Sequence, residues 1–226
     1  MNTIILAGGK GERLRPLTLT IPKPMVEVRG NPILWYILNQ LDNSGIQKVN
    51  VMVGYKSEVI KKYFSQNFTH MHINIINGGD IDIIERIKSV TSLNPEEDVL
   101  VLYGDTVSDV DITKLLEFHQ KNAQLGTLTV WPLKTNFGLV ELNDKSEIIQ
   151  FTEKPRLDKW INIGYFIINK ELFPHLNNFD AFADFLNFCG KEKLLKAYKH
   201  ESEHYTVNNL VELAHLEENV NKVFKF

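Results

Sequence analysis

Gly8-Gly9-Lys10-Gly11 follows the apolar run from Thr3 to Ala7 directly, and Arg13, Arg15 and Lys23 come soon after. Where side chains are missing, backbone N–H groups can approach and surround phosphate oxygens. Nearby guanidinium and ammonium groups neutralise the charge of a polyphosphate. Phosphate binding is therefore the chemistry these residues suit. The spacing argues against two other phosphate loops. A dinucleotide fingerprint needs G-x-G-x-x-G, but Leu14 follows Arg13, and the Gly-Lys-Ser/Thr ending of a Walker A loop is absent. A second chemical position is Asp105, which closes the apolar run Val99 to Tyr103 after Gly104. A hard cation such as Mg²⁺ takes one or two carboxylates together with phosphate oxygens and water, so a single Asp can anchor it.

The whole chain narrows the possibilities. At 226 residues, with 43% hydrophobic and 23% charged residues, it can bury a sizeable core as one domain over residues 1–226, and disordered or collagen-like classes are set aside. A net charge of -3 provides no general attraction to nucleic acid or anionic membrane, so polyanion binding must be local. Cys189 has no second cysteine to pair with and lies among Phe185, Leu186 and Phe188, as a buried structural thiol would. The residues after Met1 do not form a signal peptide and no apolar run is long enough to span a bilayer, so a reducing cytoplasm is expected. The seven histidines are read as structural or surface residues.

The elements that must position these groups follow from periodicity. Strands are predicted at Thr3 to Ala7, Lys48 to Val53, His72 to Ile76 and Val99 to Tyr103. Helices are predicted at Ile33 to Asn43, Ser57 to Phe64 and Ile81 to Val90. Repeated βα units imply a mostly parallel central sheet covered on both faces. After Asp105, the runs Thr127 to Trp131, Leu139 to Leu142, Ile148 to Thr152 and Ile163 to Ile168 predict a mixed or antiparallel extension of that sheet, and a final helix is expected from about Asn209 to Val223. In such α/β sheets ligands bind beyond the carboxyl ends of the strands.

Leu6-Ala7-Gly8-Gly9-x-Gly11-x-Arg13-Leu14, Pro16-Leu17-Thr18 and Pro22-Lys23-Pro24-Met25 together resemble the opening signature of the sugar-1-phosphate nucleotidyltransferases. The resemblance implies a Rossmann-like three-layer α/β sandwich, Mg²⁺ as cofactor, and an NTP bound across residues Leu6, Ala7, Gly8, Gly9, Lys10 and Gly11. Arg13 would hold the leaving pyrophosphate and Lys23 the α-phosphate or the incoming phosphate. Glu12 stands where the family commonly has Thr or Ser.

Asp105 matches the metal aspartate of that family, with Gly104 beside it. A second metal ligand is expected near the C-terminus, where many relatives carry Asp. Here Val207-Asn208-Asn209-Leu210 resembles the uridylyltransferases of amino-sugar metabolism, in which an asparagine carbonyl serves, so Asn208 is assigned with Asn209 as the alternate. The order of Phe137-Gly138-Leu139-Val140, Glu153-Lys154-Pro155 and Asn162-Ile163-Gly164-Tyr165 resembles the acceptor-binding segments. In them Gly138 and Gly164 would allow backbone approach, Glu153 and Asn162 would meet polar groups, and Lys154 would pair the acceptor phosphate.

Asn77-Gly78-Gly79-Asp80 stands where sugar enzymes have a Gly-Thr-Ala or Gly-Thr-Gly segment, and the C-terminal extension of the longer hexose enzymes is missing. In this the chain looks more like cytidylyltransferases that activate non-sugar phosphates such as phosphocholine or phosphoglutamine. Asn77, Asp80, or backbone groups of residues 7, 8, 78 and 79 would then read the base. Arg156 is a further candidate for an acceptor carboxylate. The partners expected are a nucleoside triphosphate and a small phosphorylated acceptor, with neither nucleic acid nor membrane, and homo-oligomerisation is left open.

Overall fold

A computed structural model describes residues 1–68 and 70–224. In chain order the strands are β1 (Asn2–Ala7), β2 (Glu27–Val28), β3 (Asn31–Pro32), β4 (Lys48–Val53), β5 (His72–Asn77), β6 (Val99–Tyr103), β7 (Thr106–Ser108), β8 (Gly126–Lys134), β9 (Leu139–Leu142), β10 (Ile148–Thr152), β11 (Arg156–Ile168), β12 (Leu195–Lys199) and β13 (His204–Thr206). The helices are α1 (Ile33–Asn43), α2 (Ser57–Phe64), α3 (Ile83–Leu93), α4 (Ile112–Gln120), α5 (Phe173–Leu176), α6 (Phe182–Lys191) and α7 (Leu210–Val223).

Seven strands form the central sheet in the order β12-β8-β11-β6-β1-β4-β5. β5, β4, β1 and β6 are mutually parallel, and β11 runs antiparallel to both β6 and β8. Successive side chains of a strand face opposite sides of the sheet, which here makes three layers. Ile5, Val51, Val53, Leu100, Leu102 and Tyr165 belong to one core with Leu34 and Leu41 of α1 and Leu213 and Leu216 of α7. Ile4, Met52, Val99, Val101 and Phe166 belong to the other, with Ile84 and Ile87 of α3 and Phe182, Phe185 and Cys189 of α6. Burial pushes the Cys189 thiol up to about 11, so it stays protonated as a packing group.

The α/β sandwich with its parallel centre and antiparallel part matches the fold expected from the sequence, with one correction. The runs at residues 139–142 and 148–152 do not extend the sheet. Among the described residues β9 and β10 pair only with each other, as a hairpin between β8 and β11 in the chain. The parallel edge strand β12 completes the sheet instead. Helix α3 starts two residues later than periodicity indicates, because the Asp82 side chain accepts the Ile84 N–H at 3.0 Å and caps it there.

Candidate active site

The loop after β1 turns on Gly11, whose φ of +63° begins a short 3-10 turn at Glu12–Leu14. A side chain at Gly11 would also fall 2.9 Å from Lys23 Cβ, so only glycine fits both the backbone and the space. Thr18 Oγ1 donates to Gly11 O at 2.8 Å, folding the Pro-rich stretch back over the loop. A later 3-10 turn, Lys23–Met25, brings Lys23 inward until it is only 9% exposed.

Asp105 and Asn208 meet because β7 and β13 pair antiparallel with Thr106 opposite Thr206, so that Asp105 precedes one strand and Asn208 follows the other by two residues. Val207 N–H donates to Asp105 O at 3.0 Å and tightens that junction. Lys23 Nζ donates to Asp105 Oδ2, and also to Asn208 Oδ1 at 3.1 Å. Arg13 Nη2 reaches the same Asn208 oxygen at 3.1 Å. The neighbouring asparagine behaves differently. Asn209 accepts the Glu212 N–H at 3.0 Å as the N-cap of α7, while Glu212 Oε2 accepts the Asn208 N–H at 2.6 Å. Two consecutive asparagines are thus divided between the site and the helix end.

Three cavities meet at Asp105. One of about 340 Å³ lies between residues 6–9 and residues 80–83, with Lys23, Arg86 and Tyr103 in its wall. A second, about 510 Å³, is bounded by the loop from Gly9 to Arg13, Lys23, Asp80 and Asn208. The third, about 520 Å³, lies beyond Tyr103 among Asn162, His204, Thr206, Glu212 and His215, with no Lys or Arg in its lining among the described residues. Their arrangement around one carboxylate suits a polyphosphate in the middle, a flat group on one side and a polar acceptor on the other.

Arg86 carries information that the sequence pattern conceals. Its guanidinium donates to Val53 O at 3.3 Å, Gly79 O at 2.9 Å and Ile81 O at 3.2 Å, and burial lowers its pKa. A Cβ on Gly8 would stand 1.9 Å from Arg86 Nη1, so this glycine is required by the approach of the guanidinium as well as by the loop. The signal in the sequence was a lone Arg among Ile83, Ile84, Ile87 and Val90 on the apolar face of a helix, the one charged group on a face that should be oil.

Other expected residues are placed as follows. Leu6, Ala7, Gly8, Gly9 and Gly104 line the first cavity, and Lys10 and Gly11 the second. Lys10 Nζ lies 2.5 Å from Asp80 Oδ2, an exposed pair that raises the Lys10 pKa and lowers that of Asp80. Asn77 does not face the cavity: its side chain donates to Ser57 Oγ at 3.3 Å and accepts Gly79 N–H at 3.1 Å, so it shapes the loop containing Gly78 and Gly79 from behind. Asn162 reaches Tyr103 Oη at 3.5 Å, and Gly164 N–H donates to Asn162 Oδ1 at 2.9 Å. Gly138, Glu153 and Lys154 sit at the base of the β9–β10 hairpin outside the third cavity, Gly138 half-buried and the other two exposed. Glu153 and Lys154 pair with each other at 3.8 Å. Arg156 is held by both oxygens of Glu201, at 3.0 and 3.2 Å, rather than facing an acceptor.

His204 and Tyr103 were not singled out from the sequence. Burial lowers the His204 pKa to about 4, so it is neutral at ordinary pH, and its Nδ1 is buried without a hydrogen-bond partner among the described residues. Tyr103 separates the first and third cavities, and burial raises its pKa.

This is a Rossmann-like α/β fold whose site gathers cationic side chains and hard oxygens at the carboxyl ends of parallel strands. Residues 2–210 match the Nucleotidyl transferase family, and the chain belongs to it. It is 33% identical over 203 residues to a glucose-1-phosphate cytidylyltransferase of Salmonella typhimurium, covering 79% of each chain. It is 35% identical to the D-glycero-alpha-D-manno-heptose 1-phosphate guanylyltransferase of Aneurinibacillus thermoaerophilus, covering 88% of this chain and 87% of that one. The crystal structure of HddC from Yersinia pseudotuberculosis superposes with a TM-score of 0.75 at 22% identity, over 97% of this chain and 99% of the other, and agrees in fold. No helix among the described residues is long and apolar enough to cross a membrane.

Proposed function

We propose that this nucleotidyltransferase moves CMP from CTP to a small phosphorylated acceptor and releases pyrophosphate. The observation that carries the reading is the convergence of Lys23, Arg13, Asp105 and Asn208 where the three cavities meet. An acceptor phosphate oxygen forms a bond to the α-phosphorus as the bond from that phosphorus to the pyrophosphate oxygen breaks. The acceptor phosphate is already ionised, so no general base is needed, and rate acceleration comes from positioning and charge neutralisation. Lys23 holds the α-phosphate or the attacking phosphate, and Arg13 the departing pyrophosphate.

The Asp105 carboxylate and the Asn208 carbonyl already share one cation, the Lys23 ammonium, so they are two hard oxygens facing a common point. That donor set fits Mg²⁺, which completes its shell with phosphate oxygens and water. Bound there, Mg²⁺ would supply further charge neutralisation at the phosphates.

The base would lie in the cavity between residues 6–9 and residues 80–83. Three N–H groups of Arg86 are taken by carbonyls, and a guanidinium has five. The remaining donors suit the O2 and N3 acceptors of cytosine, and Asp80, whose Oδ2 is paired with Lys10, would accept from its amino group through the other oxygen. In the acceptor cavity Asn162, Thr206 and Glu212 suit hydroxyl, amide or ammonium groups. Phosphoglutamine, the substrate of a capsule-pathway CTP:phosphoglutamine cytidylyltransferase, would bring an amide and an ammonium. A second reading, transfer from CTP, UTP, GTP or dTTP to a sugar-1-phosphate, is favoured by what the relatives are named for.

Pyrophosphate release from four NTPs, each paired with hexose-1-phosphates, phosphocholine and phosphoglutamine, tests both. CTP-dependent release with a non-sugar acceptor alone supports the first reading, and release with a sugar phosphate supports the second. Tight nucleotide binding without turnover on any pair would overturn both in favour of a non-catalytic nucleotide-binding module.

A further inference from the structure

Asn208 presents one side-chain oxygen to two cations, Lys23 Nζ and Arg13 Nη2, each at 3.1 Å. It lies in the short link between the end of β13 and Asn209, the N-cap of α7. A residue in such a link turns about its own backbone unless both sides are tied, and tying it costs conformational entropy. Two hydrogen bonds hold this one. On the strand side, the N–H of fully buried Val207 donates to Asp105 O at 3.0 Å. On the helix side, the Asn208 N–H donates to Glu212 Oε2 at 2.6 Å, a short bond to a charged acceptor. Glu212 is itself fixed, because its N–H donates to Asn209 Oδ1 at 3.0 Å and Leu213 and Leu216 anchor the same helix in the core.

In the usual reciprocal cap, the glutamate at the third helical position returns to the N–H of the N-cap residue itself. Glu212 occupies that third position, yet it takes the N–H of Asn208, one residue further out. It forms no ion pair with a described Lys, Arg or His, so its bond to the site is the one to the Asn208 backbone. We propose that Glu212 is a positioning residue for nucleotidyl transfer: it fixes the Asn208 backbone so that the amide oxygen stays on the point that Lys23 and Arg13 share. The inference rests on the role given above to Asn208.

The test is a double-mutant cycle on pyrophosphate release at saturating substrates, with Glu212→Ala and Asn208→Ala made singly and together. Glu212→Ala should lower kcat about tenfold and raise the Mg²⁺ concentration for half-maximal rate by a similar factor, the scale on which partners that orient a metal ligand act. The double variant should be no slower than Asn208→Ala alone, since a residue that acts only through another is silent once the other is gone. Losses that multiply in the double variant overturn the proposal, because Glu212 would then act by its own charge or on the acceptor. Glu212→Gln keeps an oxygen for the N–H and should recover most of the kcat that Glu212→Ala loses, whatever happens to the acceptor KM. A Gln variant as slow as the Ala variant overturns the proposal too.

A readout free of catalysis is the side-chain amide signal of Asn208 in a ¹H–¹⁵N spectrum, identified by its loss in Asn208→Ala. It should shift or broaden in Glu212→Ala and stay near its wild-type position in Glu212→Gln. Glu212→Met, which keeps helix propensity but offers no oxygen, repeats the measurement should the shorter side chain loosen the helix. A signal unmoved in the folded Ala and Met variants overturns the proposal. Wild-type turnover by Asn208→Ala would instead sink the function given to Asn208, while the spectrum would still decide whether Glu212 holds it.

Discussion

Lys23 Nζ donates to Asn208 Oδ1 at 3.1 Å, joining residues 185 positions apart in the chain. The loop after the first strand and the entry to the last helix are thereby tied at one oxygen, which Arg13 also contacts. Removing Lys23 removes an ammonium that touches both Asp105 and Asn208. Lys23→Ala should lower kcat by roughly 10²- to 10³-fold, the scale of one preorganised donor. Near-normal pyrophosphate release by that variant would sink the catalytic role given to it.

Asp105→Asn keeps the size and one acceptor oxygen, but replaces the other with an NH2 group and removes the charge that would anchor a cation. Turnover should become nearly undetectable, with the melting temperature close to that of wild type and the Mg²⁺ titration of the residual rate shifted to higher concentration. A normal Mg²⁺ dependence in this variant would mean that the cation is anchored elsewhere.

Asn208 and Asn209 should separate activity from stability. Asn209→Ala loses the N-cap of α7 and should cost about 1 kcal/mol of stability, with kcat little changed. Asn208→Ala should do the reverse, lowering kcat and weakening Mg²⁺ dependence while the melt moves less. Chemical denaturation and pyrophosphate release on the same two samples decide it, and equal losses of both properties in both variants would refute the division.

Arg86 acts through the carbonyls of Val53, Gly79 and Ile81. Arg86→Lys keeps the charge but not the planar fork. Hydrogen bonds from a charged group are worth about 1.5 to 3 kcal/mol, so KM for the nucleotide should rise roughly 10- to 100-fold with a smaller change in kcat. Preference among pyrimidine triphosphates should weaken in parallel. A lowered melting temperature with unchanged KM and unchanged base preference would make Arg86 purely structural.

Much of this fold could be read in the sequence because apolar periodicity and burial agree in the βα half. The predicted bounds of α1, α2, β4 and β6 coincide with those observed. Agreement fails where the two part company. Leu139 to Leu142 and Ile148 to Thr152 are apolar enough to read as sheet strands, yet their apolar side faces outward. Leu195-Lys196-Ala197-Tyr198-Lys199 was missed for the opposite reason, being an edge strand with charged positions that give little signal. At the site, the residues expected to hold phosphate and metal stand together because short loops at strand ends position them. Arg86 and His204 could not be found the same way, since what matters about them is which carbonyls or rings lie opposite.

His204 gives a prediction whose sign is fixed by burial. Its pKa falls from the ordinary 6.5 to about 4 in the folded protein, so the folded state resists a proton that the unfolded chain accepts. The stability this confers on the neutral form is fully present above pH 6.5. It is lost as pH falls through the interval down to about 4. At about 1.4 kcal/mol per unit, with a discount for partial exposure, the loss should be on the order of 2 kcal/mol. His204→Gln can keep the hydrogen bond to Thr206 Oγ1, which lies 3.2 Å from His204 Nε2, and removes the titration. The difference in unfolding free energy between wild type and this variant, measured at pH 7.5 and again at pH 5, should move in favour of the variant at the lower pH. Carboxylates that titrate nearby act on both proteins and cancel in that difference. A difference that stays constant across the interval would show that His204 takes up its proton in the folded protein as readily as in the unfolded chain.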